Sequence, residues 1–378
     1  MSEHACITSI VILTHNKLAF TRLCIESIRR WTTPNTYEII VVDNCSTDGT
    51  KEWLLRQTDI SPIFNASNVG FPAGCNQGIA QSQGQNILLL NNDVVVTEHW
   101  LDSLISCLYS SNTIGAVGPV TNNASNYQAI ETNYGDDINE MQLYAAKIRV
   151  ENYKVWERRL KLVGFCILIK RSVIDHVGGL DERFSPGNFE DDDLSIRIIK
   201  AGYDLVVCKD VFVHHFGSAT FREDPVLYNE LMTSNSRKFI AKWGFNPSYS
   251  MLIRHEIIQL MDRHEKTDEL KILEVGCACG ATLLQIKNYY PNSELHGIEL
   301  NHNSADVAST FCTVSAMDAE EPLAYPLEYF DYIIAADVLE HLKNPWDVSK
   351  NLSTTTQLGN RIKQNLEDAV SGESEKPW

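Results

Sequence analysis

Four consecutive carboxylates, Glu190, Asp191, Asp192 and Asp193, stand between Asn188-Phe189 and an apolar and basic run of Leu194, Ile196, Arg197, Ile198 and Ile199. The spacing predicts a helix whose first turn is wholly acidic. One or two acids at that place answer to the helix dipole, which favours a carboxylate there by roughly 0.3–1 kcal/mol. Four adjacent like charges repel one another, so at least one is expected to be held for chemistry, as a group that takes or gives a proton.

Such an acid needs a scaffold. Short apolar, β-branched runs at 7–13 and 37–42 alternate with helical spacing at 18–31 and 47–56, a βαβα start that implies a parallel sheet. Further strands are expected at 87–90, 114–117, 163–169 and 205–207, helices at 72–81, 98–109 and 194–201, and a loop at 122–137. In open α/β sheets, ligands bind beyond the carboxyl ends of the strands. The polar clusters at those ends are Thr14-His15-Asn16, Asp43-Asn44, Asn68-Val69-Gly70-Phe71 and Asn91-Asn92-Asp93. Any one of them is ordinary turn chemistry; four on one rim favour a site. Alternation along Val211, Val213 and His215 places His215 on the face of the valines and His214 opposite.

The chain has 378 residues, 44% of them hydrophobic, enough for two domains with full cores. A net charge of −17 argues against binding a phosphate backbone, so no nucleic-acid partner is expected. No stretch reaches the ~18 apolar residues of a membrane span, and the N-terminus lacks a signal core, so a cytoplasmic protein is expected. Ten cysteines, among them Cys24, Cys107, Cys166 and Cys208, are scattered through apolar segments and read as buried, reduced thiols. Cys277 and Cys279 have no further Cys or His cluster beside them and do not suggest zinc.

After Trp243 the pattern changes. A polar helical stretch over 254–269 reads as part of a linker, and a fresh strand at 271–275 opens a second βαβ series. The expected division is 1–245, a helical linker at 246–270, and 271–378. Gly276 and Gly280 lie in the turn after that strand, where glycine lets a ligand approach the backbone, and Glu299 ends the next strand, where an acid can hold ribose hydroxyls.

The first part resembles a family 2 glycosyltransferase of the GT-A fold, a nucleotide-binding α/β domain with a mostly parallel mixed sheet flanked by helices. The likeness rests on SIVILTHN, IIVVDNCSTDGT, NASNVGFPAGCNQGI, ILLLNNDV, GFCILIKRSVIDHVGGLDERF, NFEDDDLSIRIIKAGY and VHHFGSATF in that order. It implies that Thr14, His15, Asn16 and Asp43 hold the base and ribose of a nucleotide diphosphate sugar, with Asn68, Gly70, Phe71, Asn76 and Asn92 around its ribose and phosphates. Asn91-Asn92-Asp93 stands in place of the family's DxD motif and keeps only the last acid, so Asp93, with His215, carries the implied Mg²⁺ or Mn²⁺ site. In the family pattern EDxD the general base falls on Asp191. Glu190 and Asp193 would orient the acceptor or cap the helix, while Asp192 stands where the family often has an apolar residue. The implied reaction is transfer, with inversion, to a hydroxyl of a glycan or glycoprotein. Residues 217–222, with Arg222 near the diphosphate, would form a lid.

With Asp318 and FDYIIAADVLEHLKNP, the last part resembles an incomplete, Rossmann-like class I methyltransferase that uses S-adenosylmethionine. The resemblance implies that Glu274, Gly276 and Gly280 flank the cofactor's methionine part, that Glu299 holds its ribose, and that Asp318 lies near its adenine. Asp337 and His341 would mark the reaction side. The polar tail after residue 354 shows no further strands of that family, so this part is expected to be an interaction or homo-oligomer element, or a truncation of a longer bifunctional protein, and methylation is not expected. Peripheral membrane contact is compatible with the glycosyltransferase reading. Two other readings stay open: a sugar methyltransferase whose first part presents substrate, and a non-catalytic glycan-binding scaffold.

Overall fold

The computed structural model describes residues 7–135, 137–217, 225–261 and 264–356. It divides into two compact units, one ending at Lys242 and the other starting at Trp243. The first unit begins with β1 (Thr8–Thr14), α1 (Leu18–Trp31), β2 (Tyr37–Asp43), α2 (Thr50–Leu54), β3 (Ile60–Phe64), α3 (Phe71–Gln81), β4 (Asn86–Asn91) and β5 (Val94–Val95). It continues through α4 (Trp100–Leu108), β6 (Ile114–Thr121), α5 (Ile138–Glu151), β7 (Trp156–Arg159), β8 (Cys166–Lys170), α6 (Arg171–Val177), α7 (Glu190–Lys200), β9 (Asp204–His215) and α8 (Pro225–Trp243).

These strands form one sheet in the order β3-β2-β1-β4-β8-β6-β9-β5, with β7 paired beside β9. From β3 to β4 the strands are parallel. β8 runs antiparallel to both β4 and β6, and β9 is parallel to β6 but antiparallel to β5 and β7. The mixed, mostly parallel sheet with flanking helices is thus the fold observed. Its central strands are continuous apolar runs because both faces are covered: Ile10, Val11, Ile12, Ile40, Val41, Leu88 and Cys166 are fully buried. The cysteines at 24, 75, 107, 166, 208, 277 and 279 are buried and unbridged.

α3 lies against β1 at unusually short range. A Cβ at Gly78 would stand 2.3 Å from Val11 Cγ1, and one at Gly74 2.3 Å from Leu13 Cδ1. Only glycine lets the helix come so close, and that approach fixes the loop at Gly70 over the sheet's edge.

The second unit contains α9 (Pro247–Ser250), α10 (His255–Ile258), β10 (Lys271–Val275), α11 (Ala281–Tyr289), β11 (Glu294–Glu299), α12 (His302–Ala308), β12 (Thr313–Ala316), β13 (Tyr332–Ile334) and α13 (Pro345–Thr355). Its four strands are all parallel, in the order β12-β11-β10-β13. The chain moves to opposite sides of β10, so the turn after β10 sits at a topological switch point. Among the described residues of the polar stretch expected over 254–269, the helix is the single turn α10, whose residues bury no side chain fully. Ile257 and Ile258 from this short turn, and Met261 after it, pack against the second unit's core. Among the described residues no helix is long and apolar enough to cross a membrane.

The close approach of α3 generates a prediction. Gly78→Val should drive the helix off Val11 and cost about 1–3 kcal/mol, the usual range for overpacking. A lower urea midpoint in tryptophan fluorescence would show it; an unchanged midpoint would contradict the packing.

Candidate functional site

The parallel register sets Thr14 beside Asp43 and Leu13 beside Asn91, so the polar residues that follow β1, β2 and β4 emerge along one edge. Thr14 is buried, with its hydroxyl 2.9 Å from that of Thr21. The Asn92 amide donates to both, at 3.3 and 3.1 Å. His15 Nδ1 lies 2.7 Å from the Asn44 carbonyl, which can only accept, so the proton sits on Nδ1. Asn16, at φ 59°, ties two loops together: its N–H donates to Ser46 Oγ at 2.7 Å and its Oδ1 accepts from Thr47 N at 2.8 Å. Buried Asp43 accepts from Ser46 N at 3.1 Å.

Asn44 links this edge to the next loop. Its Nδ2 donates to Asn68 Oδ1 at 3.2 Å and to Gly70 O at 3.1 Å, and Asn68 Oδ1 also accepts from Gly70 N at 2.9 Å. Phe71 N donates to Pro186 O at 2.8 Å, and a Cβ at Gly70 would lie 3.0 Å from Pro186 Cα. Asn76 is engaged differently from the others. Both atoms of its amide bind the backbone of Leu180, each at 2.8 Å, and its Nδ2 also reaches Glu182 Oε1 at 3.0 Å.

Antiparallel pairing of β5 with β9 sets Val94 opposite His215 and brings His215 Nε2 to 3.3 Å from Asp93 Oδ1, both residues nearly buried. His215 Nδ1 lies 2.8 Å from the Asn123 carbonyl. That bond puts a proton on Nδ1, and Nε2 faces Asp93, with Asn91 Nδ2 3.5 Å away. The imidazole stacks on Phe165, with centroids 5.2 Å apart. His214 points elsewhere, to Tyr134 Oη at 2.8 Å. Among the described residues no group of three or more His, Cys, Asp or Glu could hold a metal ion.

The acidic turn is the start of α7, entered through Asn188 and Phe189 at φ 73° and 75°. Two successive bulky residues in the left-handed region are costly and need outside support. Asn235 of α8, fully buried, supplies it: its Nδ2 donates to the carbonyls of Phe184 (2.7 Å), Gly187 (2.9 Å) and Asn188 (3.2 Å). The four acids then part ways. Asp193, with no exposure, is held by Arg197 Nε at 2.9 Å and by Lys242. Asp192 pairs with Lys161 at 2.8 Å. Glu190 is buried and its Oε2 has no hydrogen-bond partner. Asp191 is half-buried and accepts from Gly164 N and Asp192 N, each at 2.9 Å, with no ion pair among the described residues.

Their proton affinities follow. Burial, then the charge of Asp192, pushes Asp191 up to about 6, against the opposing pull of Lys161 and the two N–H donors. Burial, then the charge of Asp191, holds Glu190 well above the ordinary carboxylate range. Lys161, Asn235 and Lys242 were not singled out from the sequence; each is an ordinary polar residue there, and only the fold brings it to the turn.

In the second unit Glu274 is buried with Oε2 unpartnered, and burial pushes it up to about 8. Gly276 and Gly280 adopt φ 71° and 77°. Their Cβ positions are crowded by the chain itself, 2.4 Å from Val338 Cγ2 and 2.8 Å from Phe311 Cζ. Glu299 holds the same turn together, accepting from Ala278 N at 2.8 Å and Asn301 N at 2.7 Å. Asp318 accepts from Glu320 N at 3.0 Å, Asp337 pairs with Arg254 at 2.6 Å, and His341 ends a 3₁₀ turn. The expected lid over 217–222, with Arg222, lies beyond Gly217 outside the described residues.

Two family models match different parts of the chain. Residues 9–178 match the model of the family Glycosyl transferase family 2, and residues 273–361 match a Methyltransferase domain. The chain is thus similar to family 2 glycosyltransferases over its first part and to a methyltransferase domain over its last part. It is 27% identical over 213 residues to Glycosyltransferase AglE of Haloferax volcanii, covering 55% of this chain and 66% of that protein. It is 23% identical over 278 residues to N-acetylglucosaminyl-diphospho-decaprenol L-rhamnosyltransferase of Mycobacterium tuberculosis, covering 64% and 90%. Similarity to the protein y4gI of Sinorhizobium fredii, 28% over 236 residues, covers 58% of this chain but only 25% of that one. The chain therefore spans about a quarter and two thirds of the length of two of these relatives.

The pairing of Asp193 predicts a stability effect. Asp193→Ala leaves Arg197 without its counter-charge while Lys242 keeps only Asp181, and should cost about 3 kcal/mol in urea unfolding. A cost below about 0.5 kcal/mol, as for surface pairs, would show that the contact does not hold the turn.

Proposed function

We propose that the first unit transfers a sugar from a nucleotide diphosphate sugar to a hydroxyl of a glycan or protein acceptor, with inversion, in surface polysaccharide or glycoprotein biosynthesis. The observation that carries this reading is the sorting of the acidic turn: Asp191 alone combines partial exposure with the lack of a salt bridge of its own among the described residues. The names of the relatives, a glycosyltransferase and a rhamnosyltransferase, support a glycan as acceptor.

In this reading the donor lies along the edge formed after β1, β2 and β4. His15, Asn16 and Asp43 hold base and ribose, with Thr14 and Asn92 fixing the loop beneath them. Asn68, Gly70 and Phe71 shape the phosphate side, while Asn76 acts from behind by holding the backbone at Leu180. Asp93 and His215 fit the protein's share of a divalent site: a carboxylate beside an imidazole whose other nitrogen is fixed by a backbone carbonyl. Bound there, Mn²⁺ or Mg²⁺ would neutralise charge on the diphosphate.

Asp191 then takes the proton of the acceptor hydroxyl as that oxygen bonds to the anomeric carbon. The bond from that carbon to the diphosphate oxygen breaks, and its electron pair leaves with the diphosphate. Glu190, kept neutral by burial, can donate a hydrogen bond that orients the acceptor. Asp193 belongs to the scaffold, since both its oxygens are turned to cations.

For the second unit we propose binding of S-adenosylmethionine. The buried Glu274 carboxyl, with an unpartnered oxygen at the end of β10, suits an ammonium group.

Two outcomes test the main reading. Asp191→Asn should lower transfer by at least ~10²-fold with donor affinity unchanged by calorimetry, and the parent rate should climb with pH through about 6 as the base loses its proton. A rate indifferent to this substitution would remove Asp191 as base. Asp93→Ala should abolish the Mn²⁺ dependence of UDP or GDP binding; the same dependence in parent and variant would move the metal elsewhere.

A further inference from the structure

Residues 161–164, between β7 and β8, form an irregular strap along α7, and a side chain takes each of four successive N–H groups. Lys161 N donates to Tyr127 Oη at 3.2 Å, Leu162 N to Ser195 Oγ at 3.2 Å, Val163 N to Gln128 Oε1 at 2.8 Å and Gly164 N to Asp191 Oδ2 at 2.9 Å. Two of these acceptors, Ser195 and Asp191, belong to α7, and Tyr127 Oη donates back to Lys161 O at 2.5 Å. The backbone of Lys161 is therefore fixed against the acidic turn. Its ammonium reaches Asp192 Oδ1 at 2.8 Å, with both side chains largely shielded from water.

We propose that Lys161 is a positioning residue for transfer: by neutralising Asp192 it keeps the adjacent Asp191 available as a charged proton acceptor. The proposal rests on the reading of Asp191 as base. Asp192 is an additional carboxylate beside that base, and two neighbouring carboxylates shielded from water do not both ionise freely. The groups facing Asp191 are Glu190 and Asp192 from its own helix, and Lys161 with the Gly164 N–H from the strap. Tyr127 borders Lys161, and Asp193 is turned to Arg197 and Lys242. Glu190 is held largely neutral, so the balance between Asp192 and Lys161 decides how readily Asp191 gives up its proton. An Asp192–Lys161 pair kept only for stability would be replaceable by apolar side chains at little cost and would leave the titration of Asp191 alone.

The test is a carboxyl ¹³C NMR titration of the full chain labelled at aspartate Cγ, the Asp191 signal being the one lost in Asp191→Asn. Lys161→Met should raise the Asp191 midpoint by about one unit or more, within the range an opposite charge produces. Asp192→Asn should lower it, and the double variant should fall between the two single variants. Should Lys161→Met fail to fold, Asp192→Asn decides by itself. A midpoint that stays at the parent value in every folded variant overturns the proposal. The titration needs no substrate, so it is separable from the reading beneath it: transfer that survives Asp191→Asn would defeat the base assignment whatever the midpoints do.

Discussion

Four carboxylates cannot remain charged side by side in one helical turn shielded from water, and the way this chain relieves that conflict organises its first unit. Each acid meets a different answer. Asp193 receives Arg197 from its own helix and Lys242 from α8, and Asp192 receives Lys161 from the strap. Burial holds Glu190 well above the ordinary carboxylate range, and Asp191 is left partly exposed with two backbone N–H donors. Removing the competing charges from the turn leaves one group whose proton affinity lies close to neutrality, the range in which a general base is effective.

The same constraint ties the turn to the rest of the site. α7 starts from a left-handed pair, Asn188 and Phe189, that a free chain would avoid, and Asn235 holds the preceding carbonyls in place. The loop so held passes Pro186, whose carbonyl accepts from Phe71 N, and Asn44 in turn bonds Gly70 and Asn68. A continuous set of hydrogen bonds therefore joins the ends of the parallel strands to the acidic turn. Asp93 and His215 meet on the same sheet only because the short β5 pairs back on β9.

Much of this was legible in the sequence, for local reasons. The strands β1, β2 and β4 are covered on both faces and so write themselves as unbroken apolar runs, and α1 spans Leu18–Trp31 as its spacing predicts. A row of like charges is visible whatever the fold. β3 carries Pro62 and β7 reads WERR; both lie at sheet edges, where burial no longer imposes a pattern. Lys161, Asn235 and Lys242 left no trace, because their significance is a matter of distance across the fold. In the second unit the glycines after β10 were legible as a tight turn, and their Cβ positions face Val338 and Phe311, so no larger residue fits there.

The central claim is that a single carboxylate, Asp191, serves a direct displacement at the anomeric carbon. The measurement that tests it most directly is the anomeric configuration of the glycoside product, read by ¹H NMR immediately after transfer from whichever nucleotide diphosphate sugar binds the chain in a thermal-shift screen. A product of configuration opposite to that of the donor is the predicted result. A product that retains the donor's configuration would contradict the account, because attack by an activated acceptor hydroxyl on the bound donor cannot produce it.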